Sequence, residues 1–224
     1  MVGPANYVTP IPDGLSSADA APLLCAGITT YSALRKSGAT SGQWVVISGA
    51  GGGLGHLATQ IGSRGMALRM IGVDHGSKEQ LVKDSGAEHF FDITKYNDAQ
   101  LAEEIKKVTG GLGASAVIVC TAANKAYAQA PNFLRFGGTV VCVGVPEGDL
   151  QPIATAYPSS IILQQLKVVG SAVGNQWEAL QVLDLAARGL VKTHYRTEKL
   201  DKLTEVFQEM DEGKLQGRVV IDLE

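Results

Sequence analysis

The stretch Ser48-Gly49-Ala50-Gly51-Gly52-Gly53-Leu54-Gly55 follows the apolar run Trp44–Ser48 (WVVIS) and leads into a helical pattern over Gly53–Arg64. In that pattern Leu54, Leu57, Ala58 and Ile61 share one face. A glycine-rich turn between a buried strand and a helix lets backbone N–H groups approach a diphosphate, and the helix start adds its positive dipole end. In the frame that fits best, the three critical positions are Ala50, Gly52 and Gly55, so Ala50 replaces the first glycine of G-x-G-x-x-G. The literal motif is absent, and a plain flexible connector would also be rich in glycine. Asp74 tips the balance. It ends the next strand, 19 residues after Gly55, where a carboxylate can accept both hydroxyls of a ribose. A 2′-phosphate would be repelled there, and no arginine occurs in the next six residues, so the pattern favours NAD over NADP.

Outward from this turn, strand and helix patterns alternate. Strands are expected at Leu68–Asp74, Glu88–Asp92, Ser115–Cys120, Thr139–Val143 and Leu166–Gly170. Helices are expected at Ser77–Ser85, Asn97–Val108 and Asn124–Leu134, the last kinked or shortened by Pro131. Short strands apolar on both faces, separated by helices, describe βαβ units and a parallel sheet covered on both sides. The expected fold class is therefore α/β, a doubly wound parallel sheet. The C-terminal part reads as a helix at Asn175–Arg188, a short run VKTHYRT, a helix at Lys199–Glu212 and a strand at Gly217–Leu223.

Composition excludes several classes. The chain has 224 residues and a formal net charge of −3, with no basic tract, which argues against nucleic acid or an anionic membrane as the main partner. No apolar run approaches the roughly 20 residues of a membrane span, and the first residues resemble no secretory signal. Cys25, Cys120 and Cys142 form no Cys-x-x-Cys pair and no disulfide framework, which suits a reducing, cytoplasmic setting. Cys120 and Cys142 end apolar strands and read as core. His56, His75, His89 and His194 lack metal spacing.

The turn also fits T-G-x-x-x-G-x-G of short-chain dehydrogenases, and Tyr195-Arg-Thr-Glu-Lys199 matches their Tyr-x-x-x-Lys. That chemistry requires both side chains on a helix and a serine upstream. VKTHYR reads as a strand and no serine lies between Ser171 and Tyr195, so the match is a coincidence of spacing.

The segment Ala20–Gly55 (AAPLLCAGITTYSALRKSGATSGQWVVISGAGGGLG) resembles the zinc-dependent medium-chain alcohol dehydrogenases, most closely the fungal, yeast-type enzymes. The likeness continues through IGVDHGSKEQL (71–81), VVCVGVPEG (140–148), VVGSAVGN (168–175), ARGLVK (187–192) and GKLQGRVVIDL (213–223). It implies a Rossmann coenzyme domain over 26–173, with a remnant of a catalytic domain at 1–25 and returning helices and strands at 174–224. The implied activity is reversible hydride transfer between a primary or secondary alcohol and NAD, in a homo-oligomer of two or four subunits joined through edge strands within 161–173. Position by position, Gly49, Ala50, Gly51, Gly52, Gly53, Leu54 and Gly55 correspond to the pyrophosphate turn. Asp74 and Lys78 correspond to contacts on the adenosine ribose, Ile93 flanks the adenine, and Thr121 lies beside the coenzyme. The backbone of Val143, Gly144 and Val145 corresponds to the stretch that meets the nicotinamide carboxamide, with Ser171 and Val173 nearby, and Arg218 to an arginine that reaches the pyrophosphate. Without the resemblance, Lys78 and Arg218 read more readily as solvated surface charges than as coenzyme contacts.

Cys25 corresponds to one of three protein ligands of the family's catalytic zinc; read without the resemblance it is a buried thiol on an apolar helix. The family's other two ligands, its proton relay and its structural zinc lobe have no counterpart upstream of Cys25, where no cysteine or histidine occurs. No catalytic residue is assigned. The expectation is an NAD-linked alcohol dehydrogenase by family that, as this polypeptide, holds no zinc and is inactive. The alternative is a module that binds NAD(H) without turnover. An exposed apolar patch and abnormal association are expected where 1–25 and 190–224 lack partners.

Overall fold

The computed structural model describes residues 4–5 and 8–223. Six parallel strands form one sheet in the order β3-β2-β1-β4-β5-β6. They are β1 (Trp44–Ser48), β2 (Arg69–Asp74), β3 (His89–Asp92), β4 (Ala114–Val119), β5 (Leu134–Cys142) and β6 (Lys167–Gly170). The order reverses between β1 and β4, so the loops after these two strands diverge and leave a crevice at the carboxyl edge. Alternation puts Val45 and Ile47 into one core and Val46 into the other, and all three are fully buried. The sheet is thus apolar on both faces, as the sequence demands.

The first core is closed by α2 (Ile28–Lys36), α3 (Gly55–Gln60) and α8 (Gln176–Ala187), which contribute Leu34, Leu57, Val182 and Leu183. The second is closed by α5 (Asp98–Val108) and α6 (Asn124–Gln129), through Leu101, Ile105 and Ala126. Asparagine side chains start α5 and α8. Asn97 and Asn175 each form a capping box with the residue three positions on, Gln100 and Glu178.

Several expectations are corrected. A helical segment that the strand–helix alternation did not include comprises α1 (Ser17–Pro22), a π-helical turn Leu23–Gly27, and α2. Pro22 has no N–H to donate inside this segment, and the wide turn after it accommodates the break. A further helix, α7 (Pro158–Gln164), starts on a proline at its first position. Pro131 confines α6 to six residues followed by a 3-10 turn, Ala130–Phe133. The fourth helix, α4 (Glu79–Asp84), follows its own 3-10 turn at Gly76–Lys78. β5 begins at Leu134, five residues earlier than expected, and ends at Cys142, leaving Val143 in a loop. The helix expected from Lys199 begins only at Leu203, as α9 (Leu203–Asp211), because Tyr195–Lys199 is β7. β7 pairs in parallel with β8 (Arg218–Asp222) as a separate two-stranded unit. Tyr195 and Lys199 therefore lie on a strand, which removes the Tyr-x-x-x-Lys reading.

Candidate functional site

The glycine turn is shaped by close contacts that exclude side chains. Gly49 has φ +81°, the left-handed region that favours glycine, and its N–H donates to Val73 O at 2.9 Å. A Cβ on Gly55 would stand 2.1 Å from Gly49 O and 2.6 Å from Ala50 Cα, so α3 can begin this close to β1 only with glycine there. Ala50 is fully buried and supplies a methyl to the first core, which explains why it can replace a glycine.

Asp74, at the end of β2, aims its carboxylate at this turn. Oδ2 accepts the Gly51 N–H at 2.7 Å, Oδ1 accepts the His75 N–H at 2.7 Å, and Lys78 Nζ stands 3.9 Å from Oδ1. The Lys78 stem lies across Gly51, where an added Cβ would meet its Cβ at 2.5 Å. Arg218 covers the other end. Its Nε donates to Gly53 O at 3.3 Å, and a Cβ on Gly53 would come within 2.6 Å of that nitrogen. Burial is the main influence on the Arg218 guanidinium and lowers its pKa from the ordinary value, with an opposing charge effect from Cys25. The reading of Lys78 and Arg218 as solvated charges is therefore corrected. Both cations are packed against the glycine turn.

Two cavities flank the turn at the carboxyl edge. One of about 150 Å³ is lined by Ser48, Gly49, Asp74, Ile93, Thr121 and Lys125, among others. The other, about 720 Å³, is lined by Val143, Gly144, Val145, Ser171 and Val173, together with Thr29, Tyr127 and Cys142. The structure thus brings Gly49, Asp74, Ile93 and Thr121 to one hollow and Val143, Gly144, Val145, Ser171 and Val173 to the other, whereas Ala50 to Gly55, Lys78 and Arg218 line neither. Thr121 lies between Gly49 and Gly144. A Cβ on Gly144 would lie 2.3 Å from Thr121 O.

Sequence reasoning missed two supports of the larger cavity, Tyr127 and Lys36, and the backbone conformation of Val173, a residue it had placed there. Tyr127 donates its hydroxyl to Gly144 O, and burial, its largest influence, pushes the phenol up to about 12. Lys36 Nζ donates to Ser171 Oγ at 3.1 Å. Val173 adopts φ +47°, strained for a β-branched residue at about 1–3 kcal/mol. The glycine beside it cannot take over that role with a side chain, because a Cβ on Gly174 would lie 2.7 Å from Glu178 Oε2 and from Ile28 Cγ1. The resemblance had placed Val173 here, but a sequence carries no signal for its strained φ.

Cys120 lies where expected, whereas Cys142 and Cys25 differ from expectation. Cys120 packs partly against the first core, and burial pushes its thiol up to about 12. Cys142 is half-buried and faces the large cavity, so it is not purely core. Cys25 is exposed, not buried, on the π-helical turn, with its carbonyl accepting the Thr29 hydroxyl at 2.6 Å. A catalytic zinc takes three protein ligands and an open position. Among the described residues no group of three His, Cys, Asp or Glu side chains could hold a metal ion. These residues do not fit a zinc ion, and no chemical step is assigned to one. Among the described residues no helix is long and apolar enough to cross a membrane.

A family model described as zinc-binding dehydrogenase matches residues 53–188. The chain is 63% identical to alcohol dehydrogenase 2 of Emericella nidulans, over 100% of this chain and 62% of that protein. It is 40% identical to an alcohol dehydrogenase of Schizosaccharomyces pombe, over 98% of this chain and 61% of that one. The chain therefore spans about three-fifths of the length of these relatives. Among solved structures, the alcohol dehydrogenase of Aeropyrum pernix superimposes with a TM-score of 0.83 at 27% identity, covering 95% of this chain and 60% of that one.

Proposed function

Because the chain belongs to the zinc-binding dehydrogenase family, we propose that it carries the coenzyme half of an NAD-dependent alcohol dehydrogenase. The observation that carries this reading is the Asp74 carboxylate turned onto the glycine turn, with both oxygens already accepting N–H groups. The coenzyme, when bound, would supply the hydride acceptor for an alcohol as NAD+ and the hydride donor for an aldehyde or ketone as NADH. Asp74 accepts the adenosine ribose hydroxyls, and Lys78 adds a second contact there. The turn amides and the Arg218 guanidinium hold the diphosphate, a task suited to a planar fork of donors. Ile93 and Thr121 border the adenosine, and the Val143–Val145 backbone, Ser171 and Val173 border the nicotinamide.

Differential scanning fluorimetry with NADH and NADPH tests this reading. NADH at 100 times its Kd stabilises the folded state by about 2.7 kcal/mol, a rise in Tm of about 5–10 °C. A larger rise with NADPH, or none with NADH, rejects it. A second reading, an NAD(H)-binding module without turnover, is supported by Cys25 having no fellow ligands among the described residues. Zinc analysis with an ethanol-dependent NADH absorbance assay separates the two. Retained zinc with turnover favours the enzyme; neither favours the module.

The oligomer expectation has a physical basis in β6. It is an edge strand that leaves Val168 44% exposed, and the adjacent α7 exposes Ile162 and Leu163. Unpaired edge N–H and C=O groups beside apolar side chains favour pairing with a second copy.

A further inference from the structure

A polar stripe on α3 and the π-helical turn that extends it (Ile61–Gly65) is not used by any contact assigned to the coenzyme. His56, Gln60 and Arg64 are spaced by four and face the irregular segment Leu190–His194. His56 Nε2 accepts the His194 N–H at 3.1 Å. Gln60 accepts from the Lys192 N–H and donates to the Lys192 carbonyl, both at 2.9 Å, and Arg64 donates to Leu190 O at 3.4 Å. The contacts fall on residues 190, 192 and 194, so the helix meets every second residue of the segment.

The His56 end of this stripe closes a ring of contacts. Nδ1 donates to Gly52 O at 2.8 Å, so the neutral ring presents Nε2 as an acceptor to His194. His194 O in turn accepts the Arg218 N–H at 2.9 Å, and the Arg218 side chain returns to Gly53 O. A two-stranded unit such as β7–β8 is marginal by itself and needs an external register. We propose that His56 is a positioning residue, which docks the β7–β8 unit in register and thereby sets the Arg218 guanidinium over the glycine turn. The inference rests on the coenzyme reading above for the role of Arg218, but not for the docking.

The test uses the full chain and the variants His56→Gln, His56→Asn and Gln60→Ala, each checked for folding by far-UV circular dichroism. Glutamine can replace the Nε2 acceptor facing His194, whereas asparagine reaches only as far as Nδ1. Hydrogen exchange at the His194 amide reads docking. Affinities for ADP-ribose, which carries the diphosphate, and for adenosine, which lacks it, read the placement of Arg218. Expected for His56→Asn are at least tenfold faster exchange at residue 194 and at least tenfold weaker ADP-ribose binding, with adenosine binding unchanged. His56→Gln stays near wild type, and Gln60→Ala moves the same way as His56→Asn by a smaller factor. Equal ADP-ribose affinities in the Gln and Asn variants overturn the proposal, as does an equal loss for both ligands. If the wild type binds no ADP-ribose, the coenzyme reading fails, and the exchange contrast alone upholds or overturns the docking role.

Discussion

At the residue scale, Asp74 and His56 do opposite things with charge. Asp74 needs its charge, because the N–H groups of Gly51 and His75 and the hydroxyls of a ribose all require an acceptor. Asp74→Asn converts part of that acceptor into a donor facing Gly51 N–H. A charge-assisted hydrogen bond contributes about 1.5–3 kcal/mol, so NADH affinity should fall by about 10- to 100-fold. Fluorescence titration measures it, and an unchanged Kd would remove Asp74 from the site. His56 needs to be neutral. Burial first, with further contributions from Arg218 of β8 and from His194, lowers its pKa to about 4, against the upward pull of the Gly52 carbonyl. A depressed folded-state value means the contribution is complete above the unfolded pKa of about 6.5 and declines as pH falls towards 4. The loss amounts to about 2 kcal/mol by pH 5. Urea melts at pH 7 and pH 5 should show this loss in wild type, with the His56 share of it absent in His56→Gln.

At the element scale, α3 combines two jobs that sequence pattern treats separately. Its apolar face was legible, and Leu57, with Ile61 of the turn that extends it, is fully buried in the first core. Leu57→Ala should cost about 2–5 kcal/mol in a chemical denaturation curve, a size set by the cavity left between α3 and the sheet. Its polar positions, His56 and Gln60, lie outside the apolar pattern and are nonetheless buried against residues 192–194. Nothing in the 3.6-residue period announces a second partner on the other side of a helix. β6 shows the same limit from the opposite direction. Its apolar residues predicted a strand, but its position at the sheet edge leaves Val168 exposed. Val168→Lys should shift the chain towards monomer in sedimentation velocity by placing a charge on that edge. An unaltered distribution would move the association surface elsewhere.

At the scale of the whole molecule, the sequence by itself determined the layered sheet, the glycine turn and the acid after β2. Those features are local: runs apolar on both faces demand two covering layers, and Gly49 to Gly55 with Asp74 are separated by one strand–helix–strand unit. Pro131 likewise announced the shortening of α6, though not the early start of β5 at Leu134. Only the tertiary structure decided which charges are surface and which are site. Arg218 is 163 residues beyond Gly55 and reaches the turn because β8 pairs with β7 and β7 follows a segment pinned by α3. Such placement depends on long-range contacts between elements, each marginal alone, and periodicity encodes which face is buried but not against what. The strained Val173 and the exposed thiol of Cys25 belong with these, because both follow from how neighbouring elements crowd a loop or leave a turn uncovered.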